Sequence, residues 1–576
     1  MLAAFLACRD GSCTVRYMGT RTSVLILTAS VLVACKKDAT DGAPAAATSA
    51  TVTSADNVPL SKKGAKLAAV GMSTSIYEKP STTAKRLGYL RVGAIVQRSD
   101  DPVQGDTCPG GWYAIAPQGF VCTGRYATLD TDAPIVRAAS IRPDVSKPMP
   151  YQYGFIRSAA PMYTRLPTRD EENKAEYKLK NHFRWYGNHA DDEQRIVKGA
   201  NDFARELMPD AAEVPPQDGL ADVAFFGGKK DDDPPPFWIE HGNRSIPNVT
   251  GFDQQPQSFF LNRVKRHTGV SFIGAFDSGA ELDHRKFAIT ADMRLVPIDK
   301  IKPETGSPFH GVELTGDLTL PAAFAKPCTA HTKEDRKGAP PPCRHVFRED
   351  GERMRLGDQV PSRAFIKLTG TRKVVDDVPY WEAAGGYWMR EKDLAMGVIP
   401  HTWPGAAERG EKWIDVSLDN QTLVAWEGKK PTFITLVSAG QDGLGDPKTT
   451  KSTVRGVFRI KSKHITTTMD SSERSKESGG AMPDRFAGES ADATDGKNES
   501  SFELRDVPYV QYFHDGFALH AAYWHDRFGV PRSHGCINLS PIDAMRVFRF
   551  TEPSMPTNWH GITVDQGKGT IIIVRR

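Results

Sequence analysis

The chain has 576 residues, with 74 Lys and Arg against 70 Asp and Glu and a formal net charge of +4 at pH 7. That length exceeds a single hydrophobic core, so three or four domains are expected. The near balance of charge gives no electrostatic case for a nucleic-acid partner, and 50 Gly with 40 Pro favour a loop-rich, mainly β, multidomain protein.

The first residues read as a targeting segment. Arg21 precedes an apolar run from Ser23 to Ala34 that ends at Cys35. A basic start, an apolar core of about twelve residues and a small residue before the cut describe a secretory signal. A spanning helix needs about twenty. Leu32-Val33-Ala34-Cys35 resembles the bacterial lipobox. The resemblance implies cleavage before Cys35, lipidation of Cys35 and a membrane anchor. Lys36 in place of Asp implies the outer membrane rather than the inner one in a Gram-negative envelope. Met18 is an alternative start; plain secretion and an uncleaved anchor are the alternative fates. Residues 1–35 are therefore the signal, and 36–65, rich in Ala, Ser, Thr and Asp, a flexible tether.

Residues 66–130 carry short alternating runs: Ser75-Ile76-Tyr77, Gly88-Tyr89-Leu90, Ala94 to Gln97, Gly111 to Ile115 and Gly119 to Cys122. Period-two apolar residues separated by Gly and Pro predict a small antiparallel barrel. The Gly-Trp-Tyr and Gly-Phe-Val endings resemble a bacterial SH3-like domain, which implies either a wall-binding module or a spacer. Residues 131–250 read as linker plus a helical segment. Within it, 170–187 and 191–208 have helix formers with apolar residues three or four apart. Residues 251–405 return to short strands and are expected to form a β-rich middle domain, SH3-like with insertions. A Pro-rich excursion there is flanked by Cys328 and Cys343.

A last domain is expected over 411–576. Trp413 to Leu418, Gln421 to Trp426 and Thr432 to Val437 alternate around two tight turns, and Thr570 to Val574 reads as a buried closing strand. Residues 470–500 are polar and charged; they read as a solvated insertion, with a lid as the alternative.

The eight cysteines sort by position. Cys8 and Cys13 precede the signal core and leave with it. Cys35 would carry lipid. Cys108 with Cys122, and Cys328 with Cys343, are close in sequence and read as disulfides in an exported protein. Cys536 is left over, and a thiol in an oxidising compartment is a liability unless it works.

Cys536 ends Ser533-His534-Gly535-Cys536, with His520 sixteen positions upstream. A thiol becomes a nucleophile when a neighbour takes or balances its proton. Gly535 permits a sharp turn that could aim the Gly535 and Cys536 amides at an oxyanion. The run His520 to Asn538, with Val507 to Trp524 leading into it, resembles the L,D-transpeptidase catalytic domain (YkuD domain). That family carries a histidine, a spacer of this length, then Ser/Thr-His-Gly-Cys, an apolar residue and Asn or Arg. The resemblance implies a β-sandwich with Cys536 as nucleophile and His520 as general base. His534 orients the site or holds the turn, and Ser533 is hydrogen-bonded to His520. Tyr512, His514, Tyr523, Trp524 and Asn538 are candidate substrate contacts, and His525 and Asp526 are expected at the surface or behind the site. It further implies that peptidoglycan stem peptides are cut after the third residue and joined to another stem's amine, with no cofactor and no metal. Two alternatives keep the thioester and change the acceptor: water would make a carboxypeptidase or cross-link hydrolase, and a protein lysine would make a protein-attaching enzyme. A third is a non-catalytic wall-binding lipoprotein.

Overall fold

The computed structural model describes residues 4–9, 12–17, 58–188, 236–239, 242–251, 258–328, 343–470 and 503–576. The chain divides into Met1–Thr51 and Val52–Arg576. The first unit shows a hairpin of Ala4–Arg9 and Ser12–Tyr17, with Cys8 opposite Cys13. The apolar run, Cys35, the second expected helix and residues 471–500 of the expected insertion lie outside the described residues. No helix among those described is long and apolar enough to cross a membrane. The rest is mainly β.

The alternation around residues 413–436 becomes a meander. Strand Lys412–Ser417 pairs antiparallel with Thr422–Glu427, which pairs with Lys430–Leu436. The closing strand Ile571–Arg575 returns parallel to Lys412–Ser417, with Gly456–Arg459 at one edge and Val312–Glu313 at the other. Both faces of this six-stranded sheet are covered. Ile414, Val416, Leu423 and Ala425 pack on Tyr509, Leu519, Ile537 and the helix Pro541–Phe550. Trp413, Val424, Trp426 and Ile434 pack on Phe309, Ala322, Phe324 and Ala395. Two-sided burial makes these strands more apolar than a half-exposed strand requires. The stacked Trp413 and Trp426 rings, 5.1 Å apart, belong to the second face.

The opposing sheet runs through three regions of the chain. Its centre is Glu503–His514, paired with Ser462–Asp470 on one side and Phe517–Ala521 as a hairpin partner. Ser462–Asp470 continues to Gly561–Thr563, which pairs with Arg86–Leu90 of the β unit formed within residues 66–130, the N-terminal β unit of Val52–Arg576. Gly88 and Gly561 meet at that seam, where a Cβ on Gly88 would collide with the Gly561 carbonyl. The core of the N-terminal unit, Leu67, Ile76, Leu90 and Val121, is completed by Trp559 and Ile562. That unit therefore shares a core with the C-terminal domain. At the other end Leu504 pairs with Gly269, and strands within 260–304 extend the sheet.

The expected boundaries in the middle move. Gln152–Ile156 and Ala160–Tyr163, inside the supposed linker and helical segment, are strands paired with Gly269–Asp277 and Phe260–Val264. The helices Arg169–Ala175, opened by a Thr168–Glu171 capping box, and Leu179–Gly187 are separated by Lys178 at φ 56°. The supposed single domain 251–405 is divided: its first strands join the long sheet, and Ala322–Gly397 forms a seven-stranded sheet of its own. Sequence spacing identifies strands but carries no information on which distant strand each one pairs with.

One buried ion pair ties the three regions together. Asp506, at φ 51°, accepts from Arg91 of the N-terminal unit, from Ser271 and, at 2.9 Å, from Thr466 Oγ1. Arg91 Nη2 also donates to the Ala291 carbonyl (3.2 Å). Cys108 is bonded to Cys122, and Cys328 to Cys343.

Candidate active site

His520 stands on strand Phe517–Ala521, which pairs parallel with Ile537–Leu539. The register sets His520 opposite Asn538, two residues beyond Cys536. Ile537–Leu539 leads through Ser540, whose hydroxyl caps the helix at Asp543 N (3.1 Å), into Pro541–Phe550. The Cys536 backbone is thus fixed on its far side by a strand and a capped helix.

The near side is fixed by the segment 439–453. Ser533 N donates to the Ala439 carbonyl (2.9 Å), and Gln441 N donates to the Ser533 carbonyl (2.9 Å). Thr453 Oγ1 accepts from Gly440 N (2.9 Å) and donates to the Gly535 carbonyl (2.8 Å). Gly535 has φ 126°, a conformation that L side chains rarely adopt. Cys536 is in no disulfide, is half-buried, and directs Sγ at the Gly516 carbonyl, 3.5 Å away.

His520 is buried, and its Nδ1 lies 3.0 Å from the Ala521 carbonyl. A carbonyl only accepts, so Nδ1 carries the ring proton and Nε2 keeps its lone pair. Burial lowers the His520 pKa to about 4, only partly opposed by that carbonyl. The imidazole is therefore neutral at physiological pH, as a base must be. Trp524 stacks on it at 5.6 Å and 28°.

Several expected roles change. The Ser533 hydroxyl does not reach for His520; it donates to the Cys536 carbonyl at 2.5 Å and accepts from Gly535 N at 3.0 Å. It is a brace of its own turn. The same bond occupies the Gly535 amide, one of the two expected oxyanion donors. His534 is exposed. Tyr523 is 1% exposed, packed on Tyr153 at 4.7 Å and Phe155 at 5.7 Å, so it is a core residue and not a surface for substrate. Tyr512 and Trp524 are half-buried and, with Cys536, border one core cluster. His514, 39% exposed, packs on Phe458 at 5.0 Å beside the Gly516 turn.

Of the two placements expected for His525 and Asp526, the structure gives the one behind the site: His525 is buried and Asp526 half-buried. Asp526 receives Arg363 through two bonds of 2.5 and 2.9 Å, and also Ser307. Phe528 stacks on Phe309. The loop between His520 and Cys536 is therefore held by residues more than 150 positions upstream, since Arg363 lies 163 positions from Asp526. Nothing local in the sequence marks Arg363, Ser307 or Thr453 for this task. Among the described residues, no group of His, Cys, Asp or Glu is placed to hold a metal ion.

Buried histidines, His520 and His525 at the site and His464 and His560 beside Tyr89, make the fold acid-sensitive. Burial lowers His520 to about 4, His464 and His525 to about 3, and His560 well below 6.5. Below pH 6.5 the unfolded chain takes up these protons and the native one does not, so stability falls with pH until the native values are reached. Two buried carboxyls act oppositely: desolvation raises Glu304 to about 7 and Asp543 to about 6, so the native state binds their protons first. The balance is about two protons, a loss on the order of 3 kcal/mol per pH unit at most. Urea midpoints at pH 7 and pH 5 are expected to differ accordingly; equal midpoints would contradict the buried neutral histidines.

Residues 411–574 match the family model of the YkuD, L,D-transpeptidase catalytic domain. Similar solved structures include a mutant L,D-transpeptidase of Enterococcus faecium, 21% identical, covering 28% of this chain and 49% of its own, with a TM-score of 0.19. The NMR structure of the E. faecium catalytic domain is 21% identical over 29% of this chain and 98% of its own, with a TM-score of 0.20. An L,D-transpeptidase from Mycobacterium smegmatis is 16% identical over 46% of this chain and 100% of its own, with a TM-score of 0.19. The chain spans about half the length, 49%, of the first of these. No protein of curated function matches the chain.

Proposed function

We propose, from a chain whose C-terminal region is a YkuD-type L,D-transpeptidase catalytic domain, that the protein is a peptidoglycan L,D-transpeptidase working through a Cys536 thioester. The observation that carries this is the His520 ring. Its Nδ1–H is held by the Ala521 carbonyl, which leaves a neutral Nε2 as base on the strand paired with the one that follows Cys536.

In the proposed reaction His520 Nε2 takes the thiol proton as Sγ attacks a stem-peptide carbonyl. The proton then passes to the leaving amine, D-alanine departs, and Cys536 holds the acyl group as a thioester. The amine of a second stem attacks the thioester, and the thiol is restored. With the Gly535 amide committed to Ser533, the Cys536 amide is the remaining one of the two expected donors for the oxyanion. His534 lines the approach from solvent, and Tyr512, His514, Trp524 and Asn538 contact the donor stem. The N-terminal β unit serves as an SH3-like wall contact, and a lipid on Cys35 holds the enzyme at the outer membrane, facing the periplasm.

Incubating the full chain with tetrapeptide muropeptides is expected to give cross-linked dimers and free D-alanine, read by mass spectrometry. Tripeptide without dimer would point to water as acceptor, and neither product nor an acyl adduct would defeat the proposal.

A further inference from the structure

We infer that Arg363, outside the stretch 411–574 that matches the family, is a positioning residue whose two-point grip on Asp526 sets Trp524 against the His520 ring, an inference that rests on reading His520 as the base.

The loop after His520 is fastened by main-chain bonds at two points. Ala522 N donates to the Leu539 carbonyl (2.8 Å), and Gly529 N donates to the Val437 carbonyl (2.8 Å). Among the described residues, no main-chain to main-chain bond ties 523–528 to the rest of the protein. Side chains take over there. Asp526 accepts from both Arg363 Nη atoms, at 2.5 and 2.9 Å, and from Ser307. Phe528 stacks on Phe309 (5.9 Å, 20°), and the Arg363 guanidinium lies 5.1 Å over the Phe309 ring. Burial pushes the Asp526 carboxyl up, and Arg363 with Ser307 outweighs it, so the carboxylate keeps its charge at neutral pH.

This grip reaches the base through one ring. Trp524 packs on the apolar cluster that holds Ala522, Phe528 and Phe309, and it stacks on His520 at 5.6 Å and 28°. A close-packed corner shifts as a body, so a displacement at Asp526 carries Trp524 with it. The His520 ring is held by one bond, from Nδ1 to the Ala521 carbonyl, and a single bond leaves the ring free to tilt about it. The Trp524 face supplies the second restraint. Arg363 is itself tightly held. It is 4% exposed, its N–H donates to the Ala325 carbonyl (3.0 Å), and its φ is 65°, a left-handed backbone that residues other than glycine seldom adopt. Such a conformation persists where the surroundings over-determine it, and it occurs most at functional positions. Here it aims a planar fork at a carboxylate two residues beyond Trp524.

The test compares Arg363→Lys and Arg363→Met with the wild type in the full chain. Lysine keeps a charge for Asp526 but loses the two-point grip, and methionine keeps neither. Turnover of a tetrapeptide stem is measured per folded molecule, with the folded fraction taken from urea unfolding. In both variants kcat is expected to fall about tenfold or more, with KM held within about twofold, because the grip lies behind the loop and misplaces the base rather than the substrate. A merely structural Arg363 would lower the unfolding midpoint and leave kcat per folded molecule intact. A lysine variant with wild-type kcat therefore overturns the inference, whether or not the methionine variant folds. A second measurement needs no turnover. With 15N- and 13C-labelled histidine at pH 7, and His520 assigned from the His520→Gln spectrum, the His520 ring signals carry the ring-current shift of Trp524. In both Arg363 variants they are expected to move toward their positions in Trp524→Leu. Unmoved His520 signals overturn the inference. Signals that move in a protein whose wild type shows no turnover defeat the acyl-transfer proposal and leave the placement of the ring by Arg363 standing.

Discussion

Cys536→Ala is expected to abolish acyl transfer, with a loss of about 10⁴-fold or more, because no other group can hold the acyl chain covalently. The intact mass of the wild-type chain after incubation with a tetrapeptide stem should rise by the acyl fragment, and that of the variant should not. The fold should tolerate the change. The thiol is half-buried and in no disulfide, and the turn around it is braced by Ser533 and Thr453, not by Sγ. A shift of about 1 kcal/mol or less in unfolding free energy is expected. Turnover surviving in the variant would remove the chemistry proposed for this site. A variant that restores the phenotype of a deletion strain without turnover would favour a non-catalytic wall-binding role.

Arg91→Ala should be the most destabilising single change outside the site, costing about 3–5 kcal/mol. Arg91 and Asp506 are 2% and 5% exposed, and removing the guanidinium leaves a carboxylate in the interior. In the intact protein burial pushes the Asp506 carboxyl up and Arg91 outweighs it, holding the carboxyl below its ordinary value; without Arg91, burial is left opposed only by the remaining donors. Ser271 and Thr466 remain as donors, which places the loss within that range and not above it. Urea unfolding of the full chain checks the size. Hydrogen exchange locates it: strands Arg86–Leu90 and Glu503–His514 should lose protection together, because the pair joins their segments. Arg91→Met combined with Asp506→Asn should recover part of the loss, since the unpaired charge is then gone. An unchanged midpoint in Arg91→Ala would mean that the N-terminal unit is not held by this pair.

The residues of the proposed site could be singled out because they are written close together in the chain. Ser533 to Cys536 is one turn, and a positive-φ glycine beside a cysteine needs no distant information to be noticed. The strands of 412–436 and 571–575 were legible for a similar reason, since alternation is a local signature of a pleated strand. Ser533 was misassigned because a hydroxyl in a tight turn finds its nearest partners in that turn, at Gly535 N and the Cys536 carbonyl. Tyr523 was misassigned because a tyrosine near His520 in the sequence looks the same whether solvent or Tyr153 covers it.

The amino-acid order alone specified the strand spacing and the local cysteine pairs, and it singled out Cys536 and His520 as the pair on which the proposed chemistry rests; all of these depend on neighbours along the chain or on composition. It did not specify that Trp559 completes the core of the N-terminal unit, that Arg363 clamps Asp526, or that one sheet passes through three segments. Those facts depend on contacts between residues hundreds of positions apart. Such contacts form because two apolar faces or two opposite charges exclude water together, and neither partner carries a mark of the other until the chain has folded.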